Sequence, residues 1–363
     1  MKIVITAGGT AGHINPAIAL AKKLKSEGYD VIFAGTPNRL ESKLVPQEGF
    51  EFVSFKTSGF NRKKPLTLIS SGLSILSATK EAKKWLKAQG ADCVVGFGCY
   101  VSIAICRAAY KLHIPFVIHE QNSVMGMANK YLSPKANAVC LAYKHADNGK
   151  NKNVFITGNP VRPEIFIASR GDGRKMLNIP DDAFVLLVFG GSLGANKLNS
   201  AIVDMAQDLL DKPNLHIVHI TGEKQFDEVC GHMEDKKIDK SRYHILPYQN
   251  KMAETLAATD VNISRAGAST IAEITALSLP SILIPYPYAT ENHQYYNAQE
   301  LVNAGCVIRI NDADVESEKF KNAVLQLLDD EVMRINMKKA FDKFDAKNSV
   351  NKLSQIVTDS VRR

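Results

Sequence analysis

Short apolar runs recur along the chain, each closed by glycine or polar residues and followed by a stretch of helical spacing. Residues 2–6, 31–35, 50–55, 92–97, 113–118, 136–141 and 153–157 form a first series. Residues 184–189, 216–221, 244–246, 261–264, 281–284 and 307–310 form a second. Most of these runs are apolar with little alternation, which is how strands buried on both faces of a parallel sheet read. Between the series, Gly158-Asn-Pro-Val-Arg-Pro163 sets a glycine and two prolines within six residues and interrupts the pattern, so a domain boundary is expected there. The fold class predicted is α/β, with two Rossmann-like, doubly wound parallel-sheet domains facing a cleft. The first domain is expected over 1–160 and the second over 161–345, with a last helix in 346–363 returning to the first.

Several of the runs lead straight into loops that carry chemistry. Ala7-Gly-Gly-Thr-Ala-Gly-His13, Gly96-Phe-Gly-Cys-Tyr-Val-Ser102 and Gly190-Gly-Ser-Leu-Gly-Ala195 each follow a strand and open a helix. Glycines there let a ligand approach the backbone, although the first loop is not a Gly-x-Gly-x-x-Gly fingerprint. Arg265-Ala-Gly-Ala-Ser-Thr-Ile-Ala-Glu273 is a fourth turn into a helix. A helix start of this kind offers N–H groups and a positive dipole end to a phosphate. Glu273, one turn in, is placed to accept hydrogen bonds from a ribose diol. The polar loop ending in Glu291-Asn-His-Gln294 leaves from the neighbouring strand, at the carboxyl edge where parallel sheets bind ligands. Together these loops suggest a nucleotide-sugar site, against the alternative of a plain helix cap and surface loop. In the first half, His13 stands at the lip of its glycine loop, where a group titrating near neutral pH can meet a reacting hydroxyl. His119-Glu-Gln-Asn122 closes the 113–118 run with four polar side chains expected to face the same cleft.

The 363 residues carry 45% hydrophobic and 23% charged residues, an ordinary globular composition. A net charge of +8 points to an anionic partner. Cysteines at 93, 99, 106, 140, 230 and 306 form neither a Cys-x-x-Cys pair nor a metal-ligand grouping, so reduced thiols are expected. No signal peptide and no membrane span are read. Much of the positive charge lies in one segment. Arg62, Lys63, Lys64, Lys80, Lys83, Lys84 and Lys87 oppose Glu81 alone, around Leu66, Ile69, Leu73 and Leu76 at helical spacing and the single Trp85. That composition suits an interfacial membrane contact through Leu73, Leu76, Lys80, Lys83, Lys84 and Trp85. The alternative is a helix packed on the sheet with a solvated basic end.

Taken in order, the glycine loops, His119-Glu-Gln-Asn122, Gly158-Asn-Pro-Val-Arg162, Arg265 to Glu273 and His293-Gln-Tyr-Tyr-Asn-Ala298 resemble the MurG family of peptidoglycan N-acetylglucosaminyltransferases over essentially the whole chain. The resemblance implies a GT-B fold and inverting transfer of N-acetylglucosamine from UDP-N-acetylglucosamine to the muramoyl 4-hydroxyl of undecaprenyl-diphospho-muramoyl-pentapeptide. It implies work at the cytoplasmic face of the cell membrane as a peripheral protein on an anionic surface, with cell-wall synthesis proteins as partners. No cofactor, metal or nucleic acid is implied. Carried over by residue, the donor site comprises Thr10, Ala11 and Gly12 of the first loop, Asn122 facing the sugar and Arg162 for the uracil. Ser192 serves as a phosphate contact, Ala268, Ser269 and Thr270 meet the diphosphate, Glu273 the ribose and Gln294 the sugar hydroxyls. A backbone contact to the uracil edge falls near Gln249. Ala11 stands where many relatives have glycine, and His293 where some have glutamine. His13 and Glu120 are the candidate bases, His13 first. The acceptor diphosphate is expected on Gly9, Gly98, Tyr100 and Ser102 by the same amide logic. The rival readings are a glycosyltransferase using another lipid acceptor, a UDP-N-acetylglucosamine 2-epimerase, and a non-catalytic nucleotide- or nucleic-acid-binding module.

Overall fold

The computed structural model describes residues 1–57, 59, 66–191 and 194–362, with only the backbone for 66–69 and 362. Its first sheet holds β1 (Lys2–Thr6), β2 (Asp30–Gly35), β3 (Glu51–Ser54), β4 (Cys93–Gly96), β5 (Phe116–Glu120), β6 (Ala138–Leu141) and β7 (Val154–Ile156). Their order is β3-β2-β1-β4-β5-β6-β7, and every pair is parallel. A second sheet holds β8 (Phe184–Phe189), β9 (Leu215–Ile220), β10 (Tyr243–Leu246), β11 (Val261–Ser264), β12 (Ser281–Leu283) and β13 (Val307–Arg309). It runs β10-β9-β8-β11-β12-β13, again parallel throughout.

Burial on both faces explains the continuous apolar runs. Ile3 and Ile5 of β1 point into one core, shared with Ile14, Leu20, Leu353 and Val357. Val4, between them, points into the other, with Ala82, Leu86, Ala104 and Ile105. Helices therefore cover both sides of the sheet. The last of them, Ser349–Arg362, belongs to the unit made by residues 1–162, while 163–344 form the other compact unit.

Both sheets reverse direction beside their first strand, between β1 and β4 and between β8 and β11. At such a switch point the loops leaving the carboxyl ends part to opposite faces and open a ligand crevice. The Gly8–Gly12 and Gly96–Gly98 loops leave the first switch point; residues 190–191 and 265–267 leave the second.

The run expected at 113–118 proves to be strand only from Phe116, and it extends to Glu120. His113 has φ +59° and Pro115 follows, so the chain is still turning where a strand was expected. His119 and Glu120 are consequently strand residues, not part of the following turn. Among the described residues, no helix is long and apolar enough to cross a membrane.

Candidate functional site

In the first unit the glycine loop ends at Thr10, which caps the Ala11–Ser26 helix; its carbonyl accepts from the amides of His13 and Ile14. The Thr10 hydroxyl is not spent on the cap. It lies 3.0 Å from Nδ1 of His13 and orients the ring. The other edge of that ring packs on Gly98, where an added Cβ would stand 3.2 Å from Cδ2 and 3.4 Å from Nε2. Gly98 has φ +89°, so only a residue without a side chain suits this crossing of loop and ring. Ala11, Gly12 and His13 are partly exposed, and Tyr100 sits one residue into the Cys99–Lys111 helix with its ring against Gly59.

Two buried carboxylates lie behind these loops. Glu41, on the Glu41–Gln47 helix and fully buried, accepts from the amides of Gly9 and Thr36, both at 3.2 Å, and from the Thr36 hydroxyl. A Cβ at Gly8 would stand 2.6 Å from Glu41 Oε1. Glu120 is 2% exposed and takes four N–H donors. Its Oε1 accepts from the amide and side chain of Asn122, each at 3.1 Å, and its Oε2 from Gly126 N and Asn129 Nδ2, each at 2.9 Å. Burial raises the Glu120 pKa and these donors oppose the rise. His119 is buried beside it and donates Nε2–H to the Gly158 carbonyl at 3.0 Å; burial pushes its pKa down to about 4, so it is neutral.

Several expectations change here. Each Glu120 oxygen already accepts two N–H donors, so taking up a proton there means displacing one of them. Gly9 does not offer its amide to a diphosphate, since Glu41 holds it. The Ser102 hydroxyl is turned inward, fully buried, and donates to the Thr6 and Gly98 carbonyls. Of the four polar residues 119–122, His119, Glu120 and Gln121 are buried, and only Asn122 reaches the surface in part. On the Leu66–Gln89 helix, Leu73 and Leu76 are 63% and 49% exposed and share an outward stripe with Lys80, Lys83 and Lys84. Trp85 faces the other way, half-buried with its ring edge-on to Phe55 at 5.3 Å, and so leaves that stripe. Arg62, Lys63 and Lys64 lie outside the described residues.

In the second unit the chain leaves β11, turns at Gly267 and starts the Ala268–Leu277 helix with Ala268, Ser269 and Thr270 in its first turn. First-turn N–H groups have no carbonyl four residues back, which is the anion-binding property of a helix start. Glu273 is 8% exposed on the same helix. From β12, the chain passes Tyr286 and Tyr288 to Glu291 and Asn292, both in the left-handed region at φ +53°. Such backbone costs about 1–3 kcal/mol per residue and gathers at functional loops. Gln294 stands in the first turn of the His293–Ala304 helix, and its Oε1 accepts from Tyr286 N at 2.9 Å, which fixes the orientation of its amide. The Gln249 side-chain oxygen accepts from Lys251 N at 2.9 Å. Arg162 is the last residue of the first unit and is partly buried, and Ser192 lies outside the described residues.

No local spacing marks the parts played by Glu41, which holds Gly9 across 32 positions, or Arg265, which pairs with Asp312; Asn129 bonds the strand residue Glu120 nine positions before it.

The model of the glycosyltransferase family 28 N-terminal domain matches residues 3–141, and that of the family 28 C-terminal domain matches 185–355. The UDP-N-acetylglucosamine--N-acetylmuramyl-(pentapeptide) pyrophosphoryl-undecaprenol N-acetylglucosamine transferase of Halothermothrix orenii is 39% identical over 337 residues, 91% of each chain. The protein of that name from Acetivibrio thermocellus is 36% identical over 367 residues, covering 100% of this chain and 99% of its own. The crystal structure of Acinetobacter baumannii MurG matches with a TM-score of 0.74 at 27% identity over 99% of both chains. The calicheamicin glycosyltransferase CalG4, at 16% identity and a TM-score of 0.71 over 99% of this chain and 98% of its own, shares the fold.

Proposed function

The chain belongs to the MurG family within glycosyltransferase family 28, and from that premise we propose how its site works. It is a hexosyltransferase of the GT-B fold that moves N-acetylglucosamine from UDP-N-acetylglucosamine to undecaprenyl-diphospho-muramoyl-pentapeptide. The observation that carries the mechanism is that motif loops leave both sheets where the strand order reverses.

In this reading the muramoyl 4-hydroxyl attacks C1 of the sugar, the C1–O bond to UDP breaks, and the configuration inverts. His13 takes the hydroxyl proton on Nε2, with its Nδ1–H donated to Thr10 so that the accepting tautomer is held. Negative charge grows on the departing diphosphate and is met by the helix start at Ala268, Ser269 and Thr270 and by Ser192. Glu273 binds the ribose, Arg162 and the backbone at Gln249 the uracil, and Gln294 and Asn122 the sugar, with the Thr10–Gly12 backbone beside it. Glu120 positions Asn122. The acceptor diphosphate meets the start of the Cys99–Lys111 helix near Gly98 and Tyr100, rather than Gly9 or the Ser102 side chain. Because a polyprenyl tail keeps the acceptor in the bilayer, the enzyme works at the membrane surface. Leu73, Leu76, Lys80, Lys83 and Lys84 form the contact with anionic lipid on the cytoplasmic face.

Transfer of labelled sugar from UDP-N-acetylglucosamine to a short-chain lipid-diphospho-muramoyl-pentapeptide, run with and without EDTA, tests the reading. Acceptor-dependent product in both is expected. Donor consumption without acceptor product would replace transfer by hydrolysis or epimerisation.

A further inference from the structure

Arg265 sits between the two donor loops and touches no position assigned above. It follows β11, three residues before the Ala268–Leu277 helix, and its side chain is 13% exposed. Nη1 forms an ion pair with Asp312 Oδ1 at 2.6 Å, just beyond β13, and lies 3.4 Å from the carbonyls of both Ile284 and Pro285, beyond β12. Its guanidinium carbon stands 5.7 Å from the centre of the Tyr286 ring. One cation thus ties the carboxyl ends of three successive strands.

The tie reaches further through Tyr286. The Tyr286 amide holds Gln294 Oε1, and the Tyr286 ring meets Tyr288 edge-on at 5.7 Å. Between those points the loop bends through the two left-handed residues Glu291 and Asn292, a conformation that persists only when surroundings over-determine it. Arg265 joins residues 284–286, where this loop begins, to the helix-start turn.

We propose that Arg265 is a positioning residue that sets the Gln294 amide at a fixed distance from the helix-start turn, and so controls which hexose is accepted rather than how tightly the nucleotide is held. This rests on the donor-site reading given above. A hydrogen-bonding group selects a hydroxyl only when it is held in place, so the discrimination lost with Arg265 is that against a sugar epimeric at one hydroxyl. Methionine fills the space without charge; lysine keeps the ion pair with Asp312 but lacks the fork that spans to the carbonyls.

The experiment measures Kd for UDP and relative kcat/KM for UDP-N-acetylglucosamine against its C4 epimer, in the parent, Arg265→Met, Arg265→Lys and Asp312→Asn. Arg265→Met is expected to lower the preference about tenfold with the UDP Kd within about threefold of the parent. Arg265→Lys should recover part of the preference. Asp312→Asn, which leaves Arg265 in place, should move it the same way by less, and it serves if the methionine variant does not fold. An unchanged preference in Arg265→Met and Asp312→Asn overturns the proposal. Weakened UDP binding with the preference intact also overturns it, by making Arg265 a phosphate contact. A parent that neither binds UDP nor prefers one epimer removes the donor site itself, and the proposal with it.

Discussion

The two sheets share the strand order around their switch points, yet the charged groups held behind their loops differ. In the first unit, two buried carboxylates, Glu41 and Glu120, draw loop N–H groups inward. In the second, the corresponding edge carries a mostly buried cation, Arg265, beside a helix start. Buried anions hold loops rigid but repel a further anion and use up the amides that would bind it. In the second unit the cation is paired with Asp312, and the helix start is left as the anion-binding edge. In the proposed mechanism the first copy supplies the base and the acceptor's contacts, and the second meets the departing diphosphate at that helix start.

The comparison breaks most sharply at His13. Its replacement by alanine is expected to lower kcat by roughly 100-fold or more, the usual share of a general base, with the UDP Kd unchanged. Turnover within about threefold of the parent, under ~1 kcal/mol of barrier, would move the base elsewhere.

Acid tests the buried histidines that each unit holds neutral. His119 is depressed to about 4 from 6.5, and His219, bonded to Tyr243 OH and Asn199 Oδ1, to about 3. Because the folded pKa lies below the unfolded one, the unfolded chain takes up the proton first. The stability term is therefore whole above pH 6.5 and is lost as pH falls toward 4, by roughly 3 kcal/mol for His119. Denaturant midpoints should fall across that window, and His119→Gln should flatten the first unit's share. An identical slope in the variant would place the acid sensitivity elsewhere.

Glu120→Gln puts an NH₂ group against donors and should cost about 2–3 kcal/mol of stability, read as a lower melting temperature with UDP binding intact. No change in melting would show that these hydrogen bonds are dispensable. Glu273→Ala should weaken UDP by about tenfold, with a smaller loss for 2′-deoxy-UDP, which keeps only one of the two ribose hydroxyls. Equal loss for both ligands would detach Glu273 from the ribose. Smallest per residue is the membrane term, about 1 kcal/mol for each lysine. Charge reversal at Lys80, Lys83 and Lys84 together should release the protein from anionic vesicles, and retained binding at physiological salt would discard that face.

Much of the fold was legible because its signals are local. The runs at 2–6, 184–189 and 261–264 coincide with β1, β8 and β11 residue for residue. The loops also announced themselves, since glycine and hydroxyl residues at strand ends serve close approach and helix starts. What could not be read was which way polar groups turn. Ser102 looks like a ligand contact in sequence but bonds backward to Gly98, four residues earlier, and Trp85 looks like a membrane anchor but packs on Phe55. Glu41 and Arg265 read as ordinary charges until the sheet brings residues 9 and 41, or 265 and 312, together.

The return of the Ser349–Arg362 helix to the first unit has a consequence for how the protein is made. Leu353 and Val357 complete the core that begins with Ile3 and Ile5. During synthesis the first unit must wait for all of residues 163–344 to be added. At roughly 5–20 residues per second, that leaves the Ile3–Ile5 face covered only in part, by the Ala11–Ser26 helix, for about 10–40 s. The second unit is continuous in sequence and waits for no distant segment. The half that emerges first is therefore the half that depends on the last residues made, and the one that most needs protection until they arrive.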